Sequence, residues 1–580
     1  MASEVQVQEL VHNLEEGRWK PWLQLAVLIG AIAFLVNLWF FRDAGFKGLG
    51  HPLAIEQAQI AREIARGHGF STKFIRPAAL WQFKTHKGAA PVEHFPDTFH
   101  APLHPWLSSL VIRTVSDKWV MNKKLLVYPP DQVIAGMGVF FMLAAVFVNY
   151  FIARRLFDHR LAILGVGLLL MTQRFWEYAV SGLPQMLMLF LFSSALYLLI
   201  RAIEARQEAR TPLPWLLGVA LCFGLLALTH AMTVFAFLGV LVFCLFYFRP
   251  IGLHAALMAV VVLLCYSPWL VRNYRVCGSP VGVGWYTGLT EIAGSHSTIM
   301  RSMELATGAF TPRSFGEKIR RMTVLQFEEI VPFLGSMLLA PVFFISLLHL
   351  FKNPLTAVFR WCVLCIWLLA VLGMAIFGFP EDTPIKANDL HVLFIPTMTF
   401  YGLAFILVLW SRLDLNYRIV RIGFIVFLFF ISTLPFLLGL KRLLGAAQLP
   451  WNWPPYIPPY ISVLAEWTLE HEIIASDMPW AVAWYADRKS LWIPMTLKDF
   501  TTLTDYDQLK GQVVGLYLTP ISANTSFLYS VMKGEYAEWA PYVVRKVESR
   551  DLPFKAVTAL PKDNDCVFYA DRDRWTSRED

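Results

Sequence analysis

Long apolar runs separated by short polar joints fill most of the chain between Trp22 and Leu440. Runs near twenty residues cross the hydrocarbon core of a bilayer as helices. Such runs fall at Trp22–Phe41, Val133–Ala153, Leu161–Ala179, Leu183–Ile200, Trp215–Thr229 and Thr233–Phe248. Others fall at Leu253–Val271, Ile330–Leu350, Thr356–Phe377, Leu390–Trp410 and Ile419–Leu440. The pattern predicts an α-helical polytopic membrane protein with about eleven transmembrane helices, the shorter ones tilted or packed inside the bundle.

Lys and Arg in short loops set the orientation. With the N-terminus in the cytoplasm, one face collects Arg154, Arg155 and Arg160, then Arg201, Arg206 and Arg210, then Arg249, Lys352, Arg412, Arg418 and Arg421. Three longer segments then lie on the opposite, extracytoplasmic face: a first loop over 42–130, a second over 272–329, and the chain after about 446. Residues 1–21 are polar and acidic, and read as a cytoplasmic amphipathic helix before an uncleaved first span rather than a signal peptide. The reading is therefore a membrane domain over 22–445 and an outer domain over 446–580. That outer part opens on a Pro- and aromatic-rich joint, WNWPPYIPPY, suited to the membrane interface. Strand-like runs follow in EIIAS, SLWIP, GQVVGLYLTP and DCVFYADRDRW, with a short helix between the first two, which predicts a small α/β domain. Asn524-Thr525-Ser526 is a formal glycosylation sequon of low specificity.

Composition agrees with the pattern. The 580 residues are 56% hydrophobic and 16% charged, with a mean hydropathy of +0.51, which excludes an ordinary soluble globular class. The net charge of +8 is scattered over short loops and forms no continuous basic stripe, so nucleic acid is not an expected partner. Of the seven cysteines, Cys277 and Cys566 alone fall outside the spans, where a disulfide is allowed but not required. Cys362 and Cys365 have CxxC spacing within an apolar run, without metal-type partners nearby.

His51 to Pro77 follows the first span closely. Pro52 suits the first turn of a helix and Gly67 its end, with Leu53, Ile60 and Ile64 on one stripe. Glu56 is placed in the first turn, where the helix dipole favours a carboxylate. The same pattern also fits a helix that merely rests on headgroups.

Ionisable groups near a membrane are expensive to place and mark candidate sites. The outer face gathers Asp43, Glu56, Asp97, His100 and His104 from the first loop. Glu177, His230, Arg272 and Arg275 join from span ends, and Lys386, Asp389 and His391 from IKANDLHVLFIP. A cavity with cations for a phosphate and a carboxylate for a proton suits group transfer from a phosphorylated lipid. Plainer roles stand beside these. His100 and His104 can bond backbone carbonyls in a Pro-rich turn, Arg272 and Arg275 can snorkel, and His230 can be a satisfied bundle residue. No HExxH, Walker or GxSxG pattern occurs, and the histidines are not spaced as a metal set.

Several motifs carry a resemblance: AQIAREIARGHGF, APLHPWL, SGLPQMLMLFL, PWLVRNYRVCGSP, HVLFIP, and VAWYADR with DRDRW near the end. With them the chain resembles membrane glycosyltransferases of the C-type fold, in the branch of protein O-mannosyltransferases and bacterial lipid A aminoarabinose transferases. The resemblance implies a base in the first outer loop that deprotonates an acceptor, which attacks the anomeric carbon of a polyprenyl-phosphate sugar with inversion. Basic residues then hold the departing phosphate. It implies a bacterial inner-membrane setting, membrane lipids and a glycan, lipid or protein acceptor as partners, and a lipid-linked sugar donor. It names no other cofactor and leaves a divalent metal open. Glu56 or Asp97 is expected as the base, and Arg272, Arg275, His100, His104, Lys386, His391 and His230 as substrate or phosphate contacts.

The chain departs from the family at one position. The family acid lies about seven residues before Ile60-Ala61-Arg62, where this chain has Leu53, with Ala54 beside it. Glu56, one helical turn on, is the nearest acid. The alternative is a non-catalytic member acting in lipid binding or complex assembly, with its C-terminal domain as the partner surface. A transporter fits less well, because no internal repeat is apparent.

Overall fold

The computed structural model describes residues 30–36, 46, 48–49, 51–88, 92–121, 127–304, 307–335, 338–378, 385–413, 418–444, 458–505, 509–519, 535–543, 552–560 and 563–575. The N-terminal amphipathic stretch, most of the first span, Asp43, the WNWPPYI part of the aromatic joint and the sequon lie outside the described residues.

Among the described residues, five helical stretches are long and apolar enough to cross a membrane: Pro129–Leu156, Gln185–Gln207, Leu253–Cys277, Pro354–Phe377 and Ile422–Gly439. Four shorter apolar helices, His159–Leu170, Leu213–Thr229, Thr233–Tyr247 and Ile395–Ser411, pack among them.

Two expected spans are not continuous. Leu161–Ala179 divides at Met171–Thr172 into His159–Leu170 and Gln173–Ser181. Trp176 donates its indole N–H to the Leu170 carbonyl at 2.8 Å and Thr172 its hydroxyl to Leu168 at 3.1 Å, satisfying groups that the break frees. Among its described residues, Ile330–Leu350 yields only the short helices Ile330–Phe333 and Val342–Ser346. Gly335 there adopts a left-handed φ of 74°, and Pro341 offers no N–H to continue a helix. In contrast, Leu253–Cys277 runs past the expected end at Val271, so Arg272 and Arg275 sit in its final turns.

The segment expected as the first outer loop forms a helix α1 (Pro52–Arg66), strands β1 (Ser71–Thr72) and β2 (Phe74–Ile75), a helix α2 (Pro77–Lys87), strand β3 (Phe95–Pro96) and a helix α3 (Leu103–Ile112). His51 caps α1 by accepting the Leu53 N–H on its ring, and Gly67 ends it at φ 87°. Glu56 falls in the second turn, not the first, so the helix terminus contributes little to holding its charge.

The C-terminal part supplies β4 (Ile473–Ser476), β5 (Lys489–Trp492), β6 (Val513–Leu518), β7 (Ala556–Leu560) and β8 (Asp563–Ala570). They form a six-stranded sheet in the order β2-β5-β4-β6-β8-β7, whose first strand comes from the outer loop. Phe74 aligns with Ser490 and Ile75 with Leu491 in parallel. Below it, the pair β1–β3 places Ser71 opposite Pro96. Cys277 and Cys566 are separate, buried thiols.

The three segments assigned to one face by charge bias pack on one another. Arg301, buried in the second outer loop, donates to the carbonyls of Ile493 and Pro494. Arg62 and Arg66 of the AREIARG motif both reach Asp487, the latter with two bonds at 2.9 and 2.6 Å. Lys73 adds a third cation at 2.6 Å. Burial opposes the Asp487 charge, but the three cations outweigh it and hold the carboxyl well below its ordinary value. Arg62 also donates to the Trp484 and Ala483 carbonyls. The end of α1 is thereby tied to the β4–β5 connection.

Candidate active site

Pairing of β1 with β3 delivers the chain to Asp97 directly after the strand. Asp97 starts a tight turn in which its Oδ1 accepts the N–H groups of Phe99 at 3.0 Å and His100 at 2.8 Å. His100 Nδ1 is therefore brought back to 3.3 Å from the same oxygen, while its Nε2 lies 3.1 Å from Glu56 Oε2. Arg76, at the junction of β2 and α2, pairs with Glu56 and approaches Asp97 Oδ2 at 3.5 Å. Its guanidinium is held between the rings of Phe74 and Phe99, 4.3 and 4.4 Å from their centroids.

Four buried ionisable groups thus share one space. Two carboxylates face one guanidinium and one imidazole, so the set is neutral with the imidazole protonated. Burial opposes ionisation of Glu56, but Arg76 and then His100 outweigh it and hold the carboxyl below its ordinary value. Asp97 is likewise held low against burial by His100 and Arg76. Burial would lower His100, yet Asp97 and Glu56 raise it.

His100 lines a cavity of about 350 Å³. On α1 the cavity meets Leu53 and Gln57, which lie one turn apart, whereas Glu56 turns toward Arg76. Three residues advance a helix to about 60° short of a full circle and four to about 40° past it, so Gln57 shares the Leu53 face more closely. His104 donates from Nδ1 to Gln57 Oε1 at 2.7 Å; burial, then the His100 charge, lowers it to about 3, so it is neutral. The remaining wall is largely apolar and includes the aromatic rings of Phe99, Phe235, Tyr266, Trp269, Trp285 and Phe377. His230 also lines it, and no Lys or Arg does among the described residues.

The other candidates stand around this core. Arg272 donates to the backbone carbonyls of Asp97 and Phe70 and stacks 4.8 Å from Trp269, so it fixes the turn that carries Asp97. Arg275 is exposed on the same helix. Lys386 points to Glu329 at 3.1 Å, although the adjacent Ala387 and Asn388 line the cavity. Tyr178 and Gln185 hold that segment by its carbonyls. His391 accepts from Trp367 at 3.1 Å on Nδ1 and lies 3.2 Å from Gln326 on Nε2, so both nitrogens are engaged away from the cavity. Gly282, at φ 66°, brings the second outer loop against Thr98; a Cβ there would stand 1.9 Å from the Thr98 carbonyl.

Arg76 was not among the expected site residues. Its signal was a lone Arg before Pro77, which reads as a loop until β2 and α2 frame it.

Residues 100–271 match the sequence profile of the family described as dolichyl-phosphate-mannose-protein mannosyltransferase. No curated protein matches the chain. Similar solved structures include the oligosaccharyltransferase AglB from Archaeoglobus fulgidus, in complex with an inhibitory peptide and a dolichol-phosphate. It is 14% identical, with a TM-score of 0.52 over 90% of this chain and 72% of that one. Another is ArnT from Cupriavidus metallidurans bound to undecaprenyl phosphate, 13% identical, with a TM-score of 0.52 over 94% of this chain and 98% of that one. The chain has the C-type glycosyltransferase fold. In this chain the buried tetrad and its cavity lie where the 51–112 segment meets the ends of the apolar helices.

Proposed function

We propose that the chain moves a sugar from a polyprenyl-phosphate donor to an acceptor at the outer face of a bacterial plasma membrane. The observation that carries this reading is His100 at the wall of the cavity, with Glu56 and Asp97 on its two ring nitrogens. The apolar and aromatic side chains of the cavity suit sugar faces and a prenyl chain, and His100 is the member of the tetrad that faces it. The acceptor proton passes to the Glu56–His100–Asp97 unit as the acceptor oxygen bonds to the anomeric carbon. The bond from that carbon to the phosphate oxygen breaks, and its electron pair leaves with the lipid phosphate, inverting the sugar. Glu56 is the favoured base; Asp97 orients His100, and Arg272 fixes Asp97 through its backbone. The ligands named for the two similar structures, dolichol-phosphate and undecaprenyl phosphate, support this donor class.

The test is transfer from a panel of polyprenyl-phosphate sugars by purified protein in nanodiscs, with Glu56→Gln and Asp97→Asn compared with wild type. Loss of a general base costs on the order of 100- to 10,000-fold. At least one variant is expected to lose that much with its fold retained. Full transfer by both overturns the assignment of the base. A wild type that binds polyprenyl phosphate but transfers no sugar overturns the transferase reading.

A further inference from the structure

Outside the tetrad, Glu63, His68 and His94 each point one ligand atom into a shared space, all within 4.8 Å of one another. Separate local devices deliver them. Gly67 ends α1 in the left-handed conformation, and the His68 N–H returns to the Glu63 carbonyl at 3.0 Å. That closure folds His68 back until its Nδ1 lies 2.7 Å from Glu63 Oε2. His94 arrives with β3, whose pairing to β1 sets its ring 4.4 Å from that of His68. Arg66 holds the other Glu63 oxygen at 3.0 Å, fixing the carboxylate and leaving Oε2 for a ligand. Glu63 is buried and both histidines are exposed, so the group is open to solvent on one side.

We propose that these three residues bind one divalent transition-metal ion, Zn²⁺ by chemical class, with water completing the coordination. Two imidazoles and one carboxylate form a nitrogen-rich set that suits Zn²⁺ rather than Mg²⁺ or Ca²⁺. Tetrahedral bonds of about 2.0–2.2 Å place neighbouring ligand atoms roughly 3.3 Å apart. The metal therefore replaces the short His68–Glu63 contact, His68 moves outward by a fraction of an ångström, and any proton between them goes to solvent. The ion would clip the end of α1 to the segment that reaches Asp97 three residues later. Sequence spacing hides the set, because it is assembled by a helix end and a strand pair. The inference stands apart from sugar transfer.

The test uses the full chain in detergent, carrying no histidine tag and dialysed against chelator. It is titrated with Zn²⁺ by calorimetry and with Co²⁺ by visible absorption. Wild type is expected to take up a single equivalent, to show tetrahedral Co²⁺ bands and to melt at a higher temperature with Zn²⁺ present. His68→Ala and His94→Ala are each expected to weaken binding at least about tenfold and to lose the Co²⁺ bands. His94→Gln preserves side-chain size and is expected to behave as His94→Ala. Substoichiometric uptake by wild type, or unchanged affinity in both histidine variants, overturns the site.

Discussion

Arg76 and Glu56 form an ion pair in which neither side chain is more than 5% exposed. Such a pair adds little to stability over an apolar substitute, but removing one member strands a charge in a poorly solvated place. Arg76→Met should therefore cost about 3–5 kcal/mol. Thermal unfolding in detergent reads this directly. The double variant Arg76→Met with Glu56→Gln should recover part of the loss. A single variant as stable as wild type would show that the pair is not buried in solution.

Stability should fall on both sides of a plateau in pH. His100 is raised above its ordinary 6.5, so its contribution is complete below that value and disappears as pH climbs through its folded value. Glu56 and Asp97 are lowered from 4.5 and 3.8, so theirs are complete above those values and disappear as pH drops through their folded values. The melting temperature should be highest between about pH 4.5 and 6.5. His100→Gln should remove the alkaline decline and keep the acidic one. An unaltered alkaline decline in that variant would place its origin elsewhere.

Leu53, which stands where the resemblance expects an acid, lines the cavity, while Glu56 faces Arg76. Leu53→Asp should therefore restore measurable transfer to the Glu56→Gln variant. Position matters steeply, since about 1 Å of misplacement can cost on the order of 100-fold, so recovery should be partial. Turnover of the double variant against Glu56→Gln alone is the measurement, and equal rates would argue against a carboxylate acting from that face.

Asp487 gathers Arg62, Arg66 and Lys73, and Arg62 has no exposure to solvent. Asp487→Asn leaves three cations without their common counter-charge. Hydrogen exchange should quicken in α1 and in residues 479–493 together. Quickening in one alone would mean that the two are held by other contacts.

Much of the fold could be read from periodicity, because bilayer thickness sets span length and Pro52 and Gly67 bound α1 by simple stereochemistry. The breaks at Thr172 and Gly335 could not, since hydropathy averages over them. For the site, an ionisable residue in an outer loop was enough to single out Glu56, Asp97 and His100 individually. Their common partner Arg76 was invisible beside Pro77. The engagement of His391 with Trp367 and Gln326 depends on packing between distant segments. So does the role of Asp487, which Arg66 meets from 421 positions away.

Strand β2 gives the sheet a history as well as a shape. Synthesis proceeds from the N-terminus, so Phe74 and Ile75 leave the ribosome long before Ser490 and Leu491 exist. Until then β2 lacks its sheet neighbour β5. The tail thus supplies the sheet neighbour of a strand made far earlier in the chain, and chains ending ahead of the β4–β5 region would keep every residue that lines the cavity yet leave β2 without its partner.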